Sequence, residues 1–130
     1  MRTYADLSPD LRTRQRVNQC LRDRPALSAE EWFQAFWQPQ GIAQPIADFV
    51  YTYLPKYSGL DVARVRPHDR LNEDLYLPLV CWFDWNLSLC EDFLARFGID
   101  LSEHFDPYQH GTIEDLMVFL NHQLLSVNRS

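Results

Sequence analysis

The stretch 71–98, LNEDLYLPLVCWFDWNLSLCEDFLARFG, constrains the fold of this chain more than any other. It opens on an acidic turn, Leu71-Asn72-Glu73-Asp74-Leu75, enters the longest apolar-periodic segment of the sequence and stops at a glycine. Pro78 can begin a helix. Leu79, Phe83, Leu87, Cys90, Phe93, Leu94 and Phe97 then mark one face through about five turns. Trp82 and Leu89 widen that stripe, so the helix needs cover on more than one side. Asp84, Asn86, Glu91, Asp92 and Arg96 fall off it, and Gly98 is the stop. The rest of the chain reads as material that packs on this helix.

Four other segments carry helical signals. Ser8 is placed as a cap, Pro9 as first helical residue, and Leu7 and Leu11 as a hydrophobic staple for a helix over 8–24. Its apolar stripe is thin (Leu11, Val17, Cys20, Leu21), and Arg12, Arg14, Arg16, Arg22 and Arg24 fill much of the remainder before Pro25. Ser28-Ala29-Glu30-Glu31 is a capping box, followed by Trp32, Phe33, Phe36 and Trp37 at helical spacing and by Pro39 and Gly41 as stops. After Pro45, the residues Ile46, Phe49, Val50, Tyr53 and Leu54 form a clean stripe, and Pro55 predicts its end. Asp61 to Arg66 alternates around Val62 and Val65 and reads as an extended connector, because one short strand without a partner makes no sheet. Thr112 caps a last helix reaching Ser126, with Ile113, Leu116, Met117, Leu120 and Leu124 inward and Phe119 on its flank. A short turn is expected near Phe105-Asp106-Pro107-Tyr108. The expectation is a single all-α domain over 1–130, a helical bundle, with 1–44 as an N-terminal helical extension and 45–127 as its core.

From Ile46 to Leu125 the order is helix, long loop, acidic turn, helix, short loop, helix. The markers are Leu71-Asn72-Glu73-Asp74-Leu75, then Phe97-Gly98-Ile99-Asp100-Leu101, then Thr112-Ile113-Glu114-Asp115-Leu116. In that order they resemble the acyl carrier proteins, which read F-x-E-D-L, D-S-L, an acidic helix ending F-G-I, and T-V-x-D-L. The small variant carrier-like proteins of bacteria, of unknown function, are the nearer likeness. The resemblance implies a carrier-like core and an acidic central helix that meets basic partner surfaces. It does not extend to the serine that carries phosphopantetheine. Counting from Asp74-Leu75 puts that position at Leu79, and counting back from Phe97-Gly98 puts it at Phe83. Ser88, the nearest hydroxyl, lies well inside the expected helix and follows Leu87 rather than an aspartate. The resemblance thus implies the fold and argues against the prosthetic group.

Composition narrows the remaining classes. No apolar run is long enough to span a bilayer, and the polar N-terminus lacks a secretory h-region. Cys20, Cys81 and Cys90 form no CxxC pair and are expected as reduced thiols of a cytoplasmic protein. Residues 1–24 hold six Arg against three Asp, a balance of +3, which leaves −9 for 25–130 out of a total of −6. The body should repel nucleic acid and anionic membrane, while the basic leader could dock on it or on an acidic partner. No glycine-rich phosphate loop fits four dispersed glycines, and no two of His68, His104, His110 and His122 have helical ligand spacing. His104, His110 and Asp106 share a loop and are the best metal guess, outweighed by ordinary loop residues. Asp84 and Glu91, seven apart, share a helix face and read as a solvated acidic surface rather than an acid–base pair.

The aromatic set Trp32, Phe33, Phe36, Trp37, Trp82, Phe83 and Trp85 reads as a core with the second helix laid over the central one. Trp82, Phe83 and Trp85 cannot all face that core, and the N-terminal helices are the expected cover for the remainder. The favoured function is a non-catalytic protein-interaction or regulatory module with no cofactor and no catalytic or metal site. Its partner surface would comprise Asp84, Glu91, Asp92, Trp82 and Trp85, facing a protein with a basic surface. Self-association would follow if an aromatic patch were exposed. Alternatives are a binder of a lipid or acyl chain inside the bundle and, less favoured, a true carrier or enzyme using Ser88 or another site.

Overall fold

The computed structural model describes residues 9–81, 84–103, 105–106 and 111–128. Among these the chain is all-α: α1 (Leu11–Leu21), α2 (Ala29–Trp32), α3 (Gln44–Ser58), α4 (Leu77–Val80), α5 (Trp85–Phe97) and α6 (Ile113–Asn128). The only pairing of strand type among them is one antiparallel bridge, Arg70 to Thr112, which pins the acidic turn to the start of α6.

The element on which the others pack is α3, not the stretch 71–98. It meets α2, the turns on either side of it, α5 and α6. Ile46, Ala47, Phe49, Val50 and Leu54 are all buried. On one side the Phe49 ring lies 5.3 Å from Phe93 and 5.7 Å from Phe97 of α5. On another, Tyr51 sits 5.5 Å from Trp32. Burying rings such as Phe49 and Phe93 contributes about 2 kcal/mol each. At the start of α3, the Ala43 amide donates to the Asn121 side chain of α6 at 2.9 Å.

This helix runs past Pro55, where the sequence predicted an end. The proline removes only the bond its missing N–H would have made to Tyr51. The last turn holds without it: Tyr57 and Ser58 are buried, Ser58 Oγ donates to the Leu54 carbonyl at 2.7 Å, and the Gly59 amide closes on Pro55 at 2.7 Å.

The capping box forms as expected, with the Ser28 amide donating to Glu31 and the Glu31 amide to Ser28 Oγ. Past Trp32 the helix widens into a π-turn, Phe33–Trp37, before a 3₁₀ turn ends at Gly41 with φ of 78°. Bonding from i to i+5 brings Trp32 and Trp37 to one side, where both are fully buried with their centroids 5.3 Å apart. This aromatic segment lies over α3, not over the central helix.

The expected single helix over 78–97 is instead two. Only one turn, α4, follows Tyr76. Cys81 is extended, and α5 starts at Trp85. The break resets the helical phase. Leu89 and Phe93 are buried as the sequence predicts and are joined by Trp85, while Leu79, Leu87 and Leu94, also assigned inward from sequence, are about half exposed at 50%, 55% and 47%. Two interleaved apolar series fit the same segment, and the bulkier aromatic one takes the core. Gly98, at φ of 72°, ends α5 as predicted.

The first helix begins later than expected. Asp10 caps α1, its carboxylate accepting from the Arg12 and Thr13 amides at 3.1 Å, and Leu11 is 67% exposed. Leu7 and Ser8 lie outside the described residues. Val17 and Leu21 are buried as predicted, whereas Cys20 is exposed. Polar contacts do most of the fastening. The Asp10 amide donates to Leu79 O, Arg14 to Val80 O, and Asn18 bonds both Gly59 and Asp61. Arg24 grips the buried Asp69 with two bonds, at 2.6 and 2.9 Å. The connector after α3 is a 3₁₀ turn, Val62–Arg64, followed by an extended Val65, rather than extended throughout.

At the other end, Thr112 Oγ1 accepts from the Asp115 amide, and Ile113, Leu116, Met117 and Leu120 turn inward as the spacing predicted.

Candidate functional site

The surface that stands out is the outer side of α5. Leu87, Glu91 and Leu94 follow at i, i+4 and i+7, and all three are exposed. Asp84, just before the helix, and Ser88, in its first turn, border the same ridge and are half-buried. Two large apolar side chains thus flank a carboxylate on a face that the core does not use. At a helix whose inner series already supplies the packing, exposed leucines are not required for folding.

Beside the ridge lies a cleft of about 280 Å³, bordered by Lys56, Tyr57, Asp84, Trp85, Ser88, Glu91 and Asp92. The Tyr57 hydroxyl donates to Asp92 at 2.6 Å and ties α3 to α5. Burial, and then the adjacent Asp92, push the Tyr57 hydroxyl well above its ordinary range, so it stays a donor. The cleft combines carboxylates with one ammonium. Among the described residues no group of three or more histidine, cysteine or carboxylate side chains is arranged to hold a metal ion.

The five residues expected to meet a partner separate here. Asp84 and Glu91 border one cleft, with Asp84 just before α5 rather than on its face. Asp92 borders it too, but it is half-buried and engaged by Tyr57. Trp85 borders the cleft as well, but it is only 7% exposed, its ring edge-on to Phe105 at 6.1 Å. Phe105, in the segment before α6, supplies part of its cover. Trp82 and Phe83 lie outside the described residues, as do His104, His110 and the second half of the turn expected at 105–108. Ser88 is not deep in a helix: because α5 starts at Trp85, Ser88 falls in its first turn. Leu87, Leu94, Lys56 and Tyr57 were missed from sequence. The seven-residue spacing of the two leucines was visible, but it was read as core. Lys56 and Tyr57 lie beyond Pro55, where the sequence predicts the helix to end.

A second cleft, of about 320 Å³, runs between α1 and α4 and is bordered by Arg16, Val17, Cys20, Asp74, Tyr76 and Leu79. Tyr76 has φ of 53°, the left-handed region that costs a bulky residue about 1–2 kcal/mol. Asp74 is bonded by both the side chain and the amide of Arg70, which hold its carboxyl below the usual range. The Cys81 thiol, buried beneath α4, is pushed up to about 12 by desolvation, so it stays protonated and unreactive. His68 and His122 are exposed.

Set against known proteins, the chain matches no family model, no curated protein and no solved structure. No helix among the described residues is long and apolar enough to cross a membrane.

Proposed function

We propose that this chain is a non-catalytic interaction module with a carrier-like helical core, and that it works by docking a protein partner on the outer side of α5. The observation that carries this reading is the exposed ridge Leu87–Glu91–Leu94 beside Asp84. Apolar side chains provide contact area, and the carboxylates select a partner whose matching surface is basic. The helix–acidic turn–helix–helix order resembles the carriers, whose partners also meet an acidic helix. The extended Cys81 and the absence of an Asp-Ser pair speak for a core without the swinging arm.

The test is affinity capture from cell extract with the wild type and with the variant Asp84→Lys/Leu87→Ser/Glu91→Lys. Partners held by the wild type and lost by the folded variant support the reading. An identical set captured by both overturns it. A companion measurement addresses the prosthetic group: intact mass after incubation with coenzyme A and a broad-specificity phosphopantetheinyl transferase. The reading expects no change. An adduct on Ser88 would return the chain to the true carriers.

A further inference from the structure

The docking ridge calls for a basic helix that also presents an apolar side chain, and this chain carries one. Along α1 and the turn that follows it, Arg14 and Arg24 turn inward, the first to Val80 O and the second to Asp69. Arg12, Arg16 and Arg22 are exposed, and Leu11, at 67%, is the most exposed large apolar side chain described. At 100° per residue, Leu11, Arg12, Gln15, Arg16 and Gln19 form one continuous outer face, opposite Val17 and Leu21. The inner face is committed to the chain's own body by the bonds of Asp10, Arg14 and Asn18. The outer face, its charge opposite to that of the acidic body, makes no hydrogen bond to the body among the described residues.

We propose that a second copy of this chain is an occupant of the ridge: the outer face of α1 in one molecule docks on Leu87, Glu91 and Leu94 of the next, with Arg12 and Arg16 against Glu91 and Asp84. The inference rests on the reading of α5 as a docking surface and deepens it. The two patches differ, so the contact is head-to-tail and repeats from molecule to molecule until a ring closes or a short chain forms. Exposed ion pairs are weak and screened by salt, so the association is weak, dependent on concentration and suppressed at high ionic strength.

The experiment is sedimentation velocity of the full chain across a concentration series, at low and at high salt. Two folded variants accompany it: Arg12→Glu/Arg16→Glu, and Asp84→Lys/Glu91→Lys. The wild type should rise above its 15.4 kDa monomer mass with concentration at low salt and return to it at high salt. Each variant alone should need about tenfold more protein to reach the same mass, since two exposed pairs together amount to roughly that factor. An equimolar mixture of the two should recover association, because each then offers the charge the other lacks. A wild type that stays monomeric throughout overturns the inference, as do variants that associate like the wild type. If self-association is absent while the α5 variant still loses its captured partners, the self-docking fails and the partner reading stands. If the α5 changes alter neither measurement, both fall.

Discussion

Trp32 and Trp37 are the same residue type, equally buried and 5.3 Å apart, yet their indole nitrogens fare differently. Trp32 Nε1 donates to the Val65 carbonyl at 2.9 Å, whereas Trp37 Nε1 is buried without a hydrogen-bond partner among the described residues. Trp37→Phe removes a donor that costs free energy where it sits, whereas Trp32→Phe breaks a buried hydrogen bond and leaves the Val65 carbonyl with only the longer bond from Arg66 Nη1 at 3.2 Å. The penalty for an orphaned group is about 1–3 kcal/mol. Trp32→Phe should therefore destabilise by roughly 2 kcal/mol more than Trp37→Phe, read from urea midpoints at equal slope. The sequence placed both rings inward, because burial of large apolar area needs no partner to be named. It could not separate them, since the acceptor lies 33 residues away. By contrast, the Ser28–Glu31 box was legible because both of its partners are local.

At the scale of the element, α1 shows how a helix with little core of its own is held. Its apolar contribution is Val17 and Leu21, and its attachment depends on polar bonds to carbonyls and, in the turn that follows it, on the bond from Arg24 to Asp69. Arg24→Ala would leave Asp69, 3% exposed, without its cationic partner. Breaking a fully buried pair costs about 3–5 kcal/mol, but the Arg24 side chain is 36% exposed, so about 2 kcal/mol is expected in chemical unfolding. The cap at the other end carries a pH dependence. The Thr13 amide, followed by the Thr13 side chain, holds the Asp10 carboxyl below its ordinary 3.8. A lowered folded value means that the ionised cap stabilises α1 above that pH and that the contribution fades as pH falls through the folded value. Hydrogen exchange of the α1 amides should accelerate relative to α3 in that acid range. In Asp10→Ser, which caps without titrating, this extra acceleration should be absent. The existence of α1 was legible in sequence. Its start was not, because Ser8 and Asp10 are both good caps and only tertiary attachment chooses between them. The same ambiguity misphased α5: a stripe for the core and a stripe for a partner are chemically alike, and no periodicity distinguishes them.

For the whole molecule, the all-α class followed from stripe spacing and from the lack of paired strands, but the hub did not. The stretch 71–98 has the longest apolar pattern, yet α3 touches more of the fold, because its two flanks serve different neighbours. Patterns along a chain show how much surface an element must bury, not how many elements share the burying. The charge asymmetry between the first 24 residues and the rest was plain in the sequence. Only the structure divided those arginines between fastening and display.

The contacts that close the core join distant parts of the chain: Asp10 to Leu79, Asp69 to Ile113, Ala43 to Asn121. The last of these, with Ile113, Leu116, Met117 and Leu120, belongs to α6, the 16 residues that leave the ribosome last among those described. Until they emerge, α3 lacks one of its walls. During synthesis the chain must therefore wait with its aromatic rings incompletely covered until α6 has emerged. The interval in which a nascent chain of this kind is most exposed to chaperones and proteases is set by the distance in sequence between α3 and α6 rather than by its length.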